Sequence, residues 1–121
     1  MIYMKALDVK TIEHDYPSRL KLSTIKYDNI TVYVSTIDTH LRRKENRTLA
    51  ELDKILGYTH NYETAIWYQI QTPFARSKIA VVETYQTVEE ALEGHKKWIN
   101  EVLKGRKHFK DVSNVFTLTL P

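Results

Sequence analysis

Five histidines stand at positions 14, 40, 60, 95 and 108, and they are the first residues to test for chemistry. None is spaced from another as His-x-x-x-His or His-Glu-x-x-His, the pattern that sets two imidazoles on one helix face for a metal, so no metal site is expected. His95 differs from the rest because it falls on the apolar face of a predicted helix directly after Gly94. The missing side chain there costs the helix about 1 kcal/mol and lets a backbone or a ligand come close. Two readings stay open for His95: a ligand contact, or a core histidine bonded to a strand residue such as Glu83. The glutamates at 63, 83, 89 and 90 mark no proton-transfer partner, no Gly-x-Ser-x-Gly elbow is present, and Gly57, Gly94 and Gly105 are too isolated to form a phosphate loop. No turnover chemistry and no cofactor are therefore expected.

The cations carry more information. Arg42-Arg43-Lys44 with Arg47, Arg76 with Lys78, Lys96-Lys97, and Lys104 with Arg106, Lys107 and Lys110 hold most of the 18 basic residues. Arginine can grip a phosphate with two parallel N–H donors, whereas lysine acts as a point charge that is as readily solvated. Aromatic rings supply the other half of a nucleotide site, because a base stacks on them for about 1–3 kcal/mol. Tyr33, Trp67, Tyr68, Phe74, Tyr85 and Trp98 are the candidates. Trp67 and Tyr68 are neighbours on a predicted strand and must face opposite sides of it. The residues chosen on this chemistry as ligand-binding are Arg42, Arg43, Arg76, Trp67, Phe74 and His95.

The elements that must position them are written in short-range pattern. Ile2 to Val9 reads as a strand. Leu20-Lys-Leu-Ser-Thr-Ile-Lys-Tyr27 and Ile30-Thr-Val-Tyr-Val-Ser-Thr-Ile37 alternate and are rich in β-branched residues, and Asp28-Asn29 between them suits a two-residue hairpin turn. Ile30, Val32 and Val34 should point to the core, with Thr31, Tyr33 and Ser35 on the other face. Thr48-Leu-Ala-Glu51 is a capping box opening a short helix that stops at Gly57. Glu63 to Gln71 and Ile79 to Tyr85 form a second predicted hairpin, joined by the basic loop Phe74-Ala-Arg-Ser-Lys78. Thr87-Val-Glu-Glu90 is another capping box opening a helix over 87–104, in which Val88, Ala91, Leu92, His95, Ile99 and Val102 fall at helical spacing on one face, with packing on the sheet expected through Val88, Leu92, His95 and Ile99. A last strand is expected over 112–120. The order describes an α+β fold, a mostly antiparallel sheet of five to six strands with one short helix and one long C-terminal helix packed on it.

Composition sets the frame. At 121 residues, 42% hydrophobic and 27% charged, the chain suits one domain over 1–121 that buries roughly two-thirds of its unfolded surface. A net charge of +3 is too small for a whole-surface nucleic-acid binder, so local clusters matter more than the total. The absence of cysteine excludes disulfides and thiolate catalysis. No signal sequence or apolar run of about 20 residues is present, which points to a soluble, cytoplasmic protein. Apolar and aromatic residues on both faces of strand 62–70, with only two helices to cover the sheet, point to a homo-oligomer.

Three segments, Val34-Ser-Thr-Ile37, Tyr62-Glu-Thr-Ala-Ile-Trp67 and Glu83-Thr-Tyr-Gln-Thr-Val-Glu-Glu-Ala-Leu-Glu-Gly-His95, give the chain the look of a class of small phage and prophage proteins. The likeness spans residues 30–100 and is strongest at 83–95. Within that class it resembles the anti-Thoeris sponges, which bind cyclic ADP-ribose-type signals without degrading them. The resemblance implies a phage-encoded, non-enzymatic, homo-oligomeric protein in the host cytoplasm that sequesters a small cyclic nucleotide. The alternative is a phage accessory protein that binds nucleic acid or a host protein.

Overall fold

The computed structural model describes residues 6–13, 19–39, 61–70 and 75–121. Alternating β-branched and polar residues build a five-stranded antiparallel sheet in chain order: β1 Asp8–Glu13, β2 Arg19–Lys26, β3 Ile30–Asp38, β4 Tyr62–Ile70 and β5 Ala80–Tyr85. The fold is α+β. Both expected hairpins are present: the Tyr27 amide donates to the Ile30 carbonyl at 2.9 Å across the Asp28-Asn29 turn, and β4 pairs with β5 from Tyr62↔Tyr85 to Ile66↔Ala80. Of the strand expected over 2–9, positions 2–5 lie outside the described residues, and the described strand begins at Asp8 and runs on beyond Val9. Its alternation through Lys10, Thr11 and Ile12 continues in register with β2 to Glu13.

One face of this sheet is covered by helix α1, Val88–Leu103. Thr87 caps it as the sequence predicts, its hydroxyl accepting from the Glu90 amide at 3.2 Å. The buried seam is Ala91, Gly94, His95, Trp98 and Val102, while Val88, Leu92 and Ile99 are only half-buried. Of the expected face of 88, 91, 92, 95, 99 and 102, the structure buries Ala91, His95 and Val102, and it adds Gly94 and Trp98 to the seam. Close approach explains why Gly94 belongs to the seam: a side chain there would overlap Tyr85, its Cβ falling 2.2 Å from the phenol oxygen.

The helix is not the last element. Beyond Gly105, which takes φ 94° after the helix end, come β6 His108–Lys110 and β7 Thr117–Thr119, a separate two-stranded sheet where one strand over 112–120 was expected. Turn chemistry breaks that strand. Asp111 accepts from the Val81 amide at 2.8 Å and the Ser113 amide at 2.9 Å, as well as from the Ser113 hydroxyl, and Asn114 adopts φ 63°. Phe109, Leu118 and Leu120 then join Ile25, Val32, Val34, Ile66, Ala80, Trp98 and Val102 in one core. Among the described residues no helix is long and apolar enough to cross a membrane. The predicted short helix over 48–57 lies outside the described residues.

Candidate functional site

His95 sits at the centre of a polar row that is buried except at its Thr11 end. Its Nε2 lies 2.8 Å from the Ser23 hydroxyl and its Nδ1 2.7 Å from the Thr36 hydroxyl. Ser23 continues to Thr11 at 2.7 Å, and Thr36 to Thr64 at 2.7 Å, which in turn accepts from the Tyr85 hydroxyl at 3.0 Å. Each of the five strands therefore contributes one hydroxyl, and the imidazole closes the gap between β2 and β3. The ordering in which every hydroxyl passes its proton along one direction runs from Tyr85 to Thr11, with the imidazole proton on Nε2 and Nδ1 accepting. Burial holds the His95 pKa down to about 4, the positive charge of Lys21 adding to it, and burial likewise pushes the Tyr85 phenol above its ordinary value.

A serine beside a histidine invites a nucleophile reading, but access decides against it. Ser23 is fully buried and His95 only 1% exposed, so no substrate atom reaches the pair. Glu83, the partner considered for His95 from sequence, instead accepts from the Trp98 indole at 3.0 Å and meets the Lys97 ammonium at 2.7 Å. Burial raises its pKa, but the hydrogen bonds from Lys97 and Trp98 outweigh that and hold the carboxyl below its usual range.

The opposite face of the sheet is where cations and rings converge. Residues directly across from one another in an antiparallel ladder project to the same side, so the register lays out this face as rows. Lys10, Thr24, Tyr33 and Trp67 form the middle row. Asp8, Lys26, Thr31, Gln69 and Arg76 form the row on one side of it, and Ile12, Leu22, Ser35, Ala65 and Val81 the row on the other. The face thus grades from charged through aromatic to apolar over three rows.

Tyr33 and Trp67 are stacked, their ring centroids 5.2 Å apart and their planes within 5° of parallel. That separation is close to the interstrand spacing of about 4.8 Å, as expected for two rings standing upright on neighbouring strands. The Tyr33 hydroxyl donates to the Gln69 side-chain oxygen at 3.4 Å. Arg76 is carried beside them by main-chain bonding of segment 75–77 to the end of β4: Ile70 N to Ala75 O at 3.1 Å and Ser77 N to Tyr68 O at 2.9 Å. The Ser77 hydroxyl also accepts from the Tyr68 amide at 2.9 Å.

Of the residues chosen from sequence, the fold brings Trp67 and Arg76 onto one face. His95 is on the other side of the sheet and does not join them. Arg42, Arg43 and Phe74 lie outside the described residues. Sequence reasoning missed Tyr33 as the ring that stacks on Trp67, and Lys10 and Lys26 as the cations of the same face. The alternation of β2 and β3 already put Thr24, Lys26 and Tyr33 on one side, but the β3–β4 register that joins Tyr33 to Trp67 is a long-range pairing with no local signal. Among the described residues no group of three or more His, Asp or Glu could hold a metal ion.

Neither a protein family, nor a curated protein, nor a solved structure matches this chain.

Proposed function

We propose that the protein binds a small phosphorylated nucleotide on the outer face of its sheet and holds it unchanged, as a phage sponge for a cyclic nucleotide or cyclic ADP-ribose-type signal would. The observation that carries this reading is the parallel Tyr33–Trp67 stack flanked in register by Arg76 and Lys26. A base entering above the small Thr24 continues the stack on the outer face of Tyr33, with Lys10 on its far side. Its phosphates then fall toward the row of Lys26 and Arg76, where a charge-assisted bond is worth about 1.5–3 kcal/mol.

Calorimetry against cyclic ADP-ribose isomers and cyclic oligonucleotides tests the reading. Trp67→Ala and Arg76→Glu each weaken binding by about tenfold or more, and Lys97→Glu, on the helix side, leaves it unchanged. Ligand recovered after heat denaturation is intact. A cleaved ligand overturns the non-enzymatic part, and equal affinity in Trp67→Ala overturns the site.

One observation favours a second reading, a single-stranded nucleic acid on the same face. The row from Asp8 to Arg76 crosses four strands, β1 to β4, and ends on the segment beside β4, a width of roughly 19 Å at the usual strand spacing, longer than one nucleotide needs. A polynucleotide held along it releases several counterions and loses affinity steeply with salt, whereas a mononucleotide does not.

A further inference from the structure

The two edges of the five-stranded sheet are treated differently. On the β5 side, Asp111 and Val112 occupy main-chain groups of Val81: the Val81 amide bonds the Asp111 carboxylate at 2.8 Å, and the Val112 amide donates to the Val81 carbonyl at 2.8 Å. On the β1 side no strand lies beyond Asp8–Glu13 among the described residues. This edge is also apolar, with Leu7 66%, Val9 43% and Ile12 48% exposed. An edge of that kind is a template for another strand unless something blunts it.

We infer that β1 pairs antiparallel with β1 of a second copy of this chain, centred on Val9, to form a continuous ten-stranded sheet. The choice of occupant comes from the order of charges along the strand. A two-fold axis perpendicular to the sheet keeps each face on its own side, so only residues on the same face of the strand can be opposed. Centring on Val9 places Val9 against Val9 on the helix side, and on the outer face it sets Asp8 opposite Lys10 of the second copy and Lys10 opposite Asp8 of the second copy. The neighbouring registers are poorer. Centring on Lys10 opposes two ammonium groups, and centring on Thr11 sets Lys10 against Ile12. Within one chain Asp8 and Lys10 already sit 3.6 Å apart with both side chains well exposed, so exchanging partners across the axis requires no burial of an unpaired charge. The inference uses the edge and not the stacked rings, and shares only Lys10 with the nucleotide reading. Its geometric result is that the outer faces of both copies lie on the same side of one sheet.

The test is sedimentation of the full chain together with a thiol probe. Wild type sediments as a dimer at concentrations on the order of tens of micromolar. Lys10→Asp, which opposes carboxylates twice, weakens the dimer by about tenfold or more, and the double exchange Asp8→Lys with Lys10→Asp restores it. Circular dichroism on each variant reports that the fold is kept. Because the chain has no cysteine, Val9→Cys introduces a single thiol that meets its own copy at a cross-strand distance suited to a disulfide. Mild oxidation then gives a covalent dimer much faster than for Leu103→Cys, a control position 43% exposed on α1. A wild-type monomer overturns the proposal, as does a dimer indifferent to Lys10→Asp, a double exchange that does not restore association, or a Val9→Cys variant that crosslinks no faster than the control.

Discussion

Acid should destabilise this protein through His95 before it acts through Glu83. In the folded state the imidazole pKa is about 4, because burial disfavours the charged form and Lys21 repels it, against an ordinary value of 6.5. Between those values the unfolded chain takes up a proton that the folded chain refuses, so stability falls as pH drops from about 6.5 to about 4. Each tenfold in proton affinity is worth ~1.4 kcal/mol, which makes the full loss about 3 kcal/mol. The structural cause is specific: a protonated ring must donate from both nitrogens, and Thr36 can no longer give its proton to Nδ1 when it lies 2.7 Å away in the ordering set out above. Glu83 acts in a lower window, since its pKa is depressed and its stabilisation is lost only as pH falls from the ordinary 4.5 through that lower value. Urea denaturation at half-unit steps from pH 7.5 to 4 measures the slope directly. His95→Gln, which removes the titrating group, lowers stability at pH 7 and flattens the profile in this window. A His95→Gln variant that loses the same free energy as wild type between pH 6.5 and 4 would refute the assignment.

Two further substitutions probe the same region. Gly94→Ala places a methyl group 2.2–2.4 Å from atoms of the Tyr85 ring, and the overpacking cost of about 1–3 kcal/mol outweighs the ~1 kcal/mol gained in helix propensity, so thermal melting shows a lower midpoint. Thr36→Val keeps the shape but leaves both His95 Nδ1 and the Thr64 hydroxyl without this partner, costing about 1–3 kcal/mol for each group so orphaned, whereas Thr36→Ser retains most of the stability in the same denaturation assay.

What was legible in the sequence was local. The Thr87 cap on the Glu90 amide and the hairpin around Asp28-Asn29 depend on residues a few positions apart, and both formed as read, although the Glu90 carboxylate accepts from the Thr87 hydroxyl. Parity along β3 was also legible: Ile30, Val32 and Val34 are buried. Ser35, expected on the outer face, lies there and is buried as well, which no alternation rule signals. The helix face was legible in part: Ala91, His95 and Val102 are buried as read, whereas Val88, Leu92 and Ile99 are only half-buried, and the seam gains Gly94, closed on Tyr85, and Trp98. The site was half legible. Residue type marked Trp67 and Arg76, but their partner Tyr33 is brought by pairing across more than 30 positions. His95 was recognisable as a core candidate from its place on the helix, yet its partners, Ser23 and Thr36, lie far back in the chain, and a nearby charged residue drew attention from two neutral hydroxyls.

The hydroxyl row has a consequence for how the strands find one another. Alternation of apolar and polar residues fixes only which side each residue faces, and a slip of two residues leaves that pattern intact. Such a slip would bring Val34 or Asp38 to the place of Thr36, Ile66 or Tyr62 to that of Thr64, and Ile25 or Lys21 to that of Ser23. The imidazole would then face a methyl group or a charge where it now finds a hydroxyl. Hydrophobic burial thus sets the parity of the sheet, and the buried row breaks the remaining degeneracy, giving each strand one absolute alignment against its neighbours.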